Sequence, residues 1–200
     1  MNQAHTLQPM PSTRERLLYT ALDLFSTHGY QSTSLRDLAT QLGVQPGSIY
    51  NHIENKQSLL FELMEEAMDD LLHQTNLSLK RRNTKQSKLS LFVRAFVTFQ
   101  SSNPKKLTLI DREIINLSCA QRERITALRN EYAQCLMSVI NTEAAAANLP
   151  TSRMAILVRA IIGMLQSLAL YYQDDFNVFP PGVVDDLTNI IIGAIAAAKR

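Results

Sequence analysis

Between Leu17 and Met68 the apolar residues fall into short helical stripes. Leu17, Leu18, Ala21, Leu22 and Phe25 recur at three- and four-residue spacing, which predicts one buried face of a helix. Ser12 or Thr13 is placed to cap its start. Gly29 stops it, and Tyr30 is expected to tuck back against it. Thr33 or Ser34 caps a second, short helix that runs through Leu42, with Leu35, Leu38, Ala39 and Leu42 as its buried stripe. Gly43-Val44 reads as a tight turn, with positive φ expected at Gly43. A third short helix is predicted from Gln45 to His52, with Pro46 in its first turn and Ile49 facing inward. Asn55 then caps a long fourth helix that carries Leu59, Leu60, Leu63, Met64 and Met68 on one face.

The stretch Lys80–Lys88 is polar and basic and reads as a linker or helix end with solvated charges. Further helices are predicted over roughly Gln86–Gln100, Pro104–Leu117, Gln121–Asn148, Thr151–Gln173 and Gly182–Lys199. Pro150 and the Pro180-Pro181 pair punctuate them. Neither strand-type alternation nor an internal repeat is visible, so an all-α fold of about nine helices is expected. Residues 1–12, polar with Pro9 and Pro11, read as a flexible arm.

Composition agrees with this picture. Apolar residues make up 46 % and charged residues 19 % of 200 positions, and only 6 Gly and 7 Pro interrupt the chain. The net charge is +2, and residues 1–56 balance their acids and bases, which argues against strong non-specific affinity for nucleic acid. Cys119 and Cys135 stand apart from any CxxC or His cluster and are expected to be half-buried reduced thiols. The N-terminus lacks a basic-then-apolar leader, and the most apolar stretch, Met154–Tyr172, contains Arg159 and Gln166. A charge at mid-span is costly in lipid, so a buried helix is expected, with no membrane partner and a cytoplasmic location. Gly-rich phosphate loops, GxSxG, HExxH and close Asp/His/Ser clusters are absent from the sequence. No enzymatic activity, cofactor or metal is therefore expected.

The informative unit is Ser34–His52, two short helices meeting at a turn that contains Gly43. This is a helix-turn-helix, in which the second helix enters the DNA major groove and the first braces it. Gln45, Pro46, Gly47, Ser48, Tyr50, Asn51 and His52 are the candidate reading positions. Gln45 and Asn51 carry amides that can pair with adenine. Tyr50, His52, Thr33 and Lys56 are assigned to phosphates, with Ser34 and Arg36 beside them.

At these residues the chain resembles the TetR/AcrR family DNA-binding domain. The matching runs are ALDLFSTHGYQSTSLRDLATQLGV and PGSIYNHIENKQSLL. They include a Phe-x-x-x-Gly-Tyr pattern at Phe25, Gly29 and Tyr30, the Tyr50/His52 pair, and a Lys, Lys56, opening the fourth helix. Ile53 stands where that family usually has Phe, and Asn51 falls at a position where it often carries Tyr or His. The resemblance implies a helix-turn-helix DNA-binding domain at 13–56 and a ligand-binding and dimerisation domain at 57–200. It also implies a transcriptional repressor released from double-stranded operator DNA by a small-molecule effector. The middle section from VRAFVTFQ to ITALRNEY further resembles regulators of fatty-acid or sterol breakdown, which implies an acyl-CoA thioester as effector.

The stretches Met154–Tyr172 and Ile190–Ala198 are apolar nearly all round and must be covered. A homodimer through a four-helix bundle would cover them. Arg159, Gly163, Gln166, Ile190, Gly193, Ala194 and Ala197 are the candidate interface residues. The candidate ligand pocket lies among the middle helices, lined by Met64, Phe92, Phe96, Phe99, Leu109, Ile110, Met164 and Leu168. Glu113, Arg94, Arg112 and Arg159 are candidate polar anchors. The competing class is a helical adaptor that binds another protein, which predicts no salt-dependent DNA affinity.

Overall fold

The first helix opens on a reciprocal pair: the Ser12 hydroxyl accepts from the Glu15 amide while the Glu15 carboxylate accepts from the Ser12 amide at 2.7 Å. This capping satisfies two donors that a helix start would leave bare, and it launches α1 (Thr13–His28). The computed structural model describes residues 12–81, 86–143, 149–171 and 179–199. The expected arm therefore falls, except for Ser12, outside the described residues, as do residues 82–85, 144–148, 172–178 and 200.

Two compact units divide the chain, Met1–Leu63 and Met64–Arg200. In the first, α1 packs on α2 (Leu35–Leu42), and α2 on α3 (Pro46–Ile49). Ser34, rather than Thr33, is the cap of α2, again in a reciprocal pair, here with Asp37. Gly43 ends α2 at φ 69°, the left-handed conformation that its position in the turn predicts. The α-helical part of α3 stops at Ile49, short of the predicted His52. The chain goes on winding through tighter bonds, from the Asn51 amide to the Ser48 carbonyl and from the His52 amide to the Ile49 carbonyl. Leu17, Ala21, Phe25, Leu38, Ala39, Ile49, Leu59 and Leu60 form the core of this unit. The unit boundary falls inside α4 (Lys56–Leu79), at Leu63/Met64, and not at 56/57 as the sequence suggests. The first two turns of α4 bury Leu59, Leu60 and Leu63, and so belong with the helix-turn-helix.

The second unit is built around α5 (Lys88–Ser102), which buries Leu89, Leu91, Phe92, Val93, Phe96 and Phe99. It packs against α6 (Pro104–Glu113), α7 (Cys119–Glu143), α8 (Thr151–Tyr171) and α9 (Val183–Ala198). The predicted helix Pro104–Leu117 is cut short, its tail tightening into a 3-10 turn at Ile114–Asn116. Lys106 ties α6 to α4, with its ammonium 2.7 Å from Asp70 and 3.0 Å from Glu66. Every regular element among the described residues is helical, nine α-helices and one 3-10 turn. None of those helices is long and apolar enough to cross a membrane. Of the two cysteines, Cys135 is half-buried, whereas Cys119, expected to be so, is exposed at the start of α7.

α8 and α9 pack together through Leu157, Val158, Ile161 and Leu165 on one side and Leu187, Ile191 and Ile195 on the other. Their opposite faces are bare. Ile156 is 69 %, Ile190 55 % and Ile192 50 % exposed, with Gly193, Ala194 and Ala197 beside them. The all-round apolar pattern therefore covers one buried face and one face open to solvent.

Candidate nucleic-acid interface and cavity

The short α3 has one buried side chain. Ile49 is 1 % exposed. Around it Gln45, Pro46, Gly47, Tyr50 and Asn51 face solvent, while Ser48 and His52 are half-buried. Tyr50 is 60 % exposed, a high value for so large an apolar ring, and nothing in the fold calls for it there. The guanidinium of Arg36, on the exposed side of α2, has no hydrogen-bond or ion-pair partner among the described residues. These groups converge on one exposed surface built from a four-residue helix, its trailing turn and the outer side of α2.

Two residues expected at phosphates serve the fold instead. Thr33 is only 3 % exposed, and its hydroxyl donates to the Gly29 carbonyl at 2.9 Å, because the chain must turn sharply between α1 and α2. The Lys56 ammonium donates to the carbonyls of Tyr30 and Thr33, 2.8 Å each, and sits 4.1 Å from the centroid of the Tyr30 ring. Tyr30 in turn meets Phe25 edge-on, at 5.3 Å between ring centroids. Arg16, which no sequence pattern marks, donates from α1 to the Leu42 carbonyl at 3.1 Å and so fixes the end of α2. Arg14 pairs with Glu62 across the same unit. Ser34 remains exposed at the N-terminus of α2, but its hydroxyl and amide are both engaged with Asp37. The bond from the Ser34 amide holds the Asp37 carboxyl below the usual carboxylate range.

Within the second unit lies a cavity of about 380 Å³ that opens to solvent, where Asp111, Thr126, Asn130, Arg159 and Gly163 are exposed. One wall is apolar: Met68 and Leu71 from α4, Phe96 from α5, Leu107 and Ile110 from α6. The other is polar and has a simple geometric origin. Thr126, Arg129, Asn130 and Ala133 on α7 stand at i, i+3, i+4 and i+7, and so do Arg159, Ile162, Gly163 and Gln166 on α8. Each set is one helix face. Arg129 pairs with Asp111 at 2.6 Å and also donates to the Ile110 carbonyl, yet its Nε is buried without a partner. Burial pushes the Asp111 carboxyl up, and the Arg129 charge offsets part of that. Tyr132 stacks near Phe92, at 5.0 Å between centroids. Burial drives the Tyr132 hydroxyl well above its ordinary range, with a smaller opposing pull from Thr75, and neither hydroxyl reaches good hydrogen-bond geometry.

Of the expected pocket residues, Phe96 and Ile110 line this cavity. Met64, Phe92, Phe99 and Leu109 are at most 1 % exposed and are ordinary core, because they occupy the sides of their helices that face other helices. Glu113 is buried off the wall, accepting from Asn116 at 2.7 Å, and Met164, Leu168, Arg94 and Arg112 are not on it either. Arg159, expected as a polar anchor, is on the cavity wall, and so are Gly163 and Gln166, which the sequence assigns with it to a dimer interface. The sequence signal for this site is the pair of four-residue faces on α7 and α8, polar positions at helical spacing inside an apolar domain.

Comparison with known proteins follows this division. A family model described as bacterial regulatory proteins, tetR family, matches residues 17–63. One described as tetracyclin repressor-like, C-terminal domain, matches residues 82–195. The fatty acid metabolism regulator protein of Bacillus subtilis is 21 % identical over 125 residues, covering 62 % of this chain and 64 % of that protein. The HTH-type transcriptional repressor KstR2 of Rhodococcus jostii is 38 % identical over 58 residues, covering 29 % of this chain and 28 % of that one. Both matches span less than two thirds of the relatives' own lengths. The crystal structure of PfmR, a transcriptional regulator from Thermus thermophilus, superposes with a TM-score of 0.77 at 24 % identity, over 89 % of this chain and 97 % of the other.

Proposed function

The chain belongs to the TetR family of DNA-binding transcriptional regulators, and from that premise we propose that it works as a homodimeric repressor, released from its operator by a small molecule held in the cavity between α4 and α8. The observation that carries the reading is the exposed surface around Ile49, where Gln45, Gly47, Tyr50 and Asn51 have no duty in the fold. A short helix of such residues, pinned from behind, is what a major groove accepts. Gln45 and Asn51 read base edges, while Tyr50, His52 and Arg36 meet the backbone. The bare faces of α8 and α9 supply the partner contact, since two half-sites require two reading heads related by two-fold symmetry. A cytoplasmic location goes with this function.

Release follows from α4, a single helix that contributes Leu59 and Leu60 to the helix-turn-helix unit and Met68 and Leu71 to the cavity wall. A ligand that favours one position of α4 over another biases the reading heads, provided it binds the two states unequally. An acyl body suits the wall of Met68, Leu71, Phe96, Leu107 and Ile110, and the name of the Bacillus relative refers to fatty acid metabolism. These support the acyl half of the acyl-CoA expectation.

The test is a gel-shift titration on fragments selected from the host genome. Binding is expected to weaken steeply with salt, and Tyr50→Ala to lose about ten-fold or more in affinity, on the order of 1–3 kcal/mol for a central contact, with no change in thermal stability. Full affinity in Tyr50→Ala, or salt-independent association, would favour the adaptor reading instead.

A further inference from the structure

The charge balance of the cavity narrows the effector. Three charged side chains stand on its wall: Arg129, Arg159 and Asp111. Two guanidinium charges face one carboxylate, so one positive charge is left over. The surplus sits on α8, at the solvent-exposed mouth of the site, because Asp111 is committed to Arg129 while the Arg159 side chain has no hydrogen-bond or ion-pair partner among the described residues. Arg129 adds a second unmet demand, a buried Nε with no acceptor. Buried donors on a charged group are nearly always satisfied in a folded protein, so this corner of the cavity is short of acceptor oxygens. Asn130 and Gln166 flank it with amides. The opposite wall is apolar throughout, from Met68 to Ile110.

Size sets the second limit. At roughly 30 Å³ for each water-sized atom, a cavity of about 380 Å³ takes on the order of a dozen non-hydrogen atoms. A coenzyme A thioester, with its adenosine, pyrophosphate and pantetheine, is several times larger and would have to extend past the exposed Thr126, Asn130 and Arg159 into solvent.

Resting on the reading that this cavity is the effector site, we propose that it takes a compact amphiphile with a single anionic head, a free monocarboxylic acid of medium chain length, whose carboxylate pairs with Arg159 beside Arg129 and whose chain lies along Met68, Leu71, Phe96, Leu107 and Ile110. A planar carboxylate matches the fork of a guanidinium in a way that an alcohol or ester does not. Binding brings the local charge to zero and supplies the missing acceptors in one step.

Calorimetric titration of the intact protein decides this, with sodium decanoate below its micellar range, methyl decanoate and decanoyl-CoA as probes. Decanoate is expected to bind, with methyl decanoate at least ten-fold weaker and decanoyl-CoA no tighter than the free acid. Arg159→Gln is expected to weaken decanoate by roughly ten- to a hundred-fold, the worth of a hydrogen-bonded charge, while leaving the ester unchanged; Arg159→Lys, which keeps the charge but not the fork, is expected to restore only part of the loss. Equal binding of acid and ester, tighter binding of the thioester, no decanoate binding, or indifference to Arg159→Gln each overturns the proposal. Gly163→Leu separates the two layers of the argument. Its new side chain meets no neighbour within 4 Å at Cβ, so the fold tolerates it while part of the cavity is filled. If decanoate binding survives Gly163→Leu undiminished, the cavity is not the effector site and the earlier reading fails with it.

Discussion

The Lys56 ammonium lies 4.1 Å from the centroid of the Tyr30 ring and donates 2.8 Å hydrogen bonds to the carbonyls of Tyr30 and Thr33. One cation thereby closes the turn between α1 and α2 and fastens it to the first turn of α4. Replacing it removes the ammonium from two partly buried carbonyls, of which that of Tyr30 keeps the Thr33 amide at 3.3 Å, and removes the contact with the ring. Lys56→Met is expected to lower unfolding free energy by about 1–3 kcal/mol, read as a shifted denaturation midpoint at unchanged slope. An unshifted midpoint would show that the carbonyls are satisfied by water at no cost.

Gly43 occupies the left-handed region at φ 69° with open space around it. Sterics with neighbours are therefore not the issue; backbone strain is. Gly43→Ala is expected to cost about 1–2 kcal/mol, and Gly43→Asn clearly less, since Asn tolerates that conformation. Equal losses for the two variants would mean that something other than backbone conformation sets the requirement.

The capping carboxylate of α2 gives a pH signature. Asp37 is held below its ordinary value of about 3.9 by the Ser34 amide and then the Ser34 hydroxyl. The unfolded chain binds the proton more readily, so the contribution is complete above the unfolded value and disappears as pH falls through the folded one. Urea titrations at neutral pH and near pH 3 should show the midpoint of Asp37→Asn falling less on acidification than that of the parent protein. Glu15, lowered in the same way by Ser12, adds a parallel component.

Ile190 projects from α9 with 55 % of its surface exposed, among Ile192, Gly193 and Ala194. If this face seats a second copy, Ile190→Glu buries a charge in an apolar interface. The expected result is a monomer by light scattering at concentrations where the parent is a dimer, with weakened operator binding. A dimer of unaltered stability would place the contact elsewhere.

The helices are legible in the sequence because their signals are local. Ser12, Ser34, Asn55 and Gly43 each mark an end by their own chemistry, and the cap bonds form where those residues stand. The exposed face of α3 follows from Ile49 alone, since in one turn of helix only one side can point inward. What the pattern does not reveal is how polar side chains are spent. Lys56 and Thr33 look like phosphate ligands in a linear sequence; only the fold brings the Tyr30, Thr33 and Gly29 carbonyls to them. The cavity is hard to read for a related reason. Phenylalanines and methionines at helical spacing suggest its wall, yet Phe92, Phe99 and Met64 fill the interior between helices. The cavity opens instead where Gly163 and Ala133 leave space and Arg129 and Arg159 keep it polar.

Because Ile49 is the one buried side chain of α3, the exposed positions around it are open to substitution. A new side chain at Gln45, Gly47 or Asn51 faces solvent, so on the proposed reading descendants of this scaffold can acquire new target sequences one substitution at a time, without a compensating change in the interior. A randomised library at those three sites should yield mostly well-expressed proteins that differ in which DNA they retain.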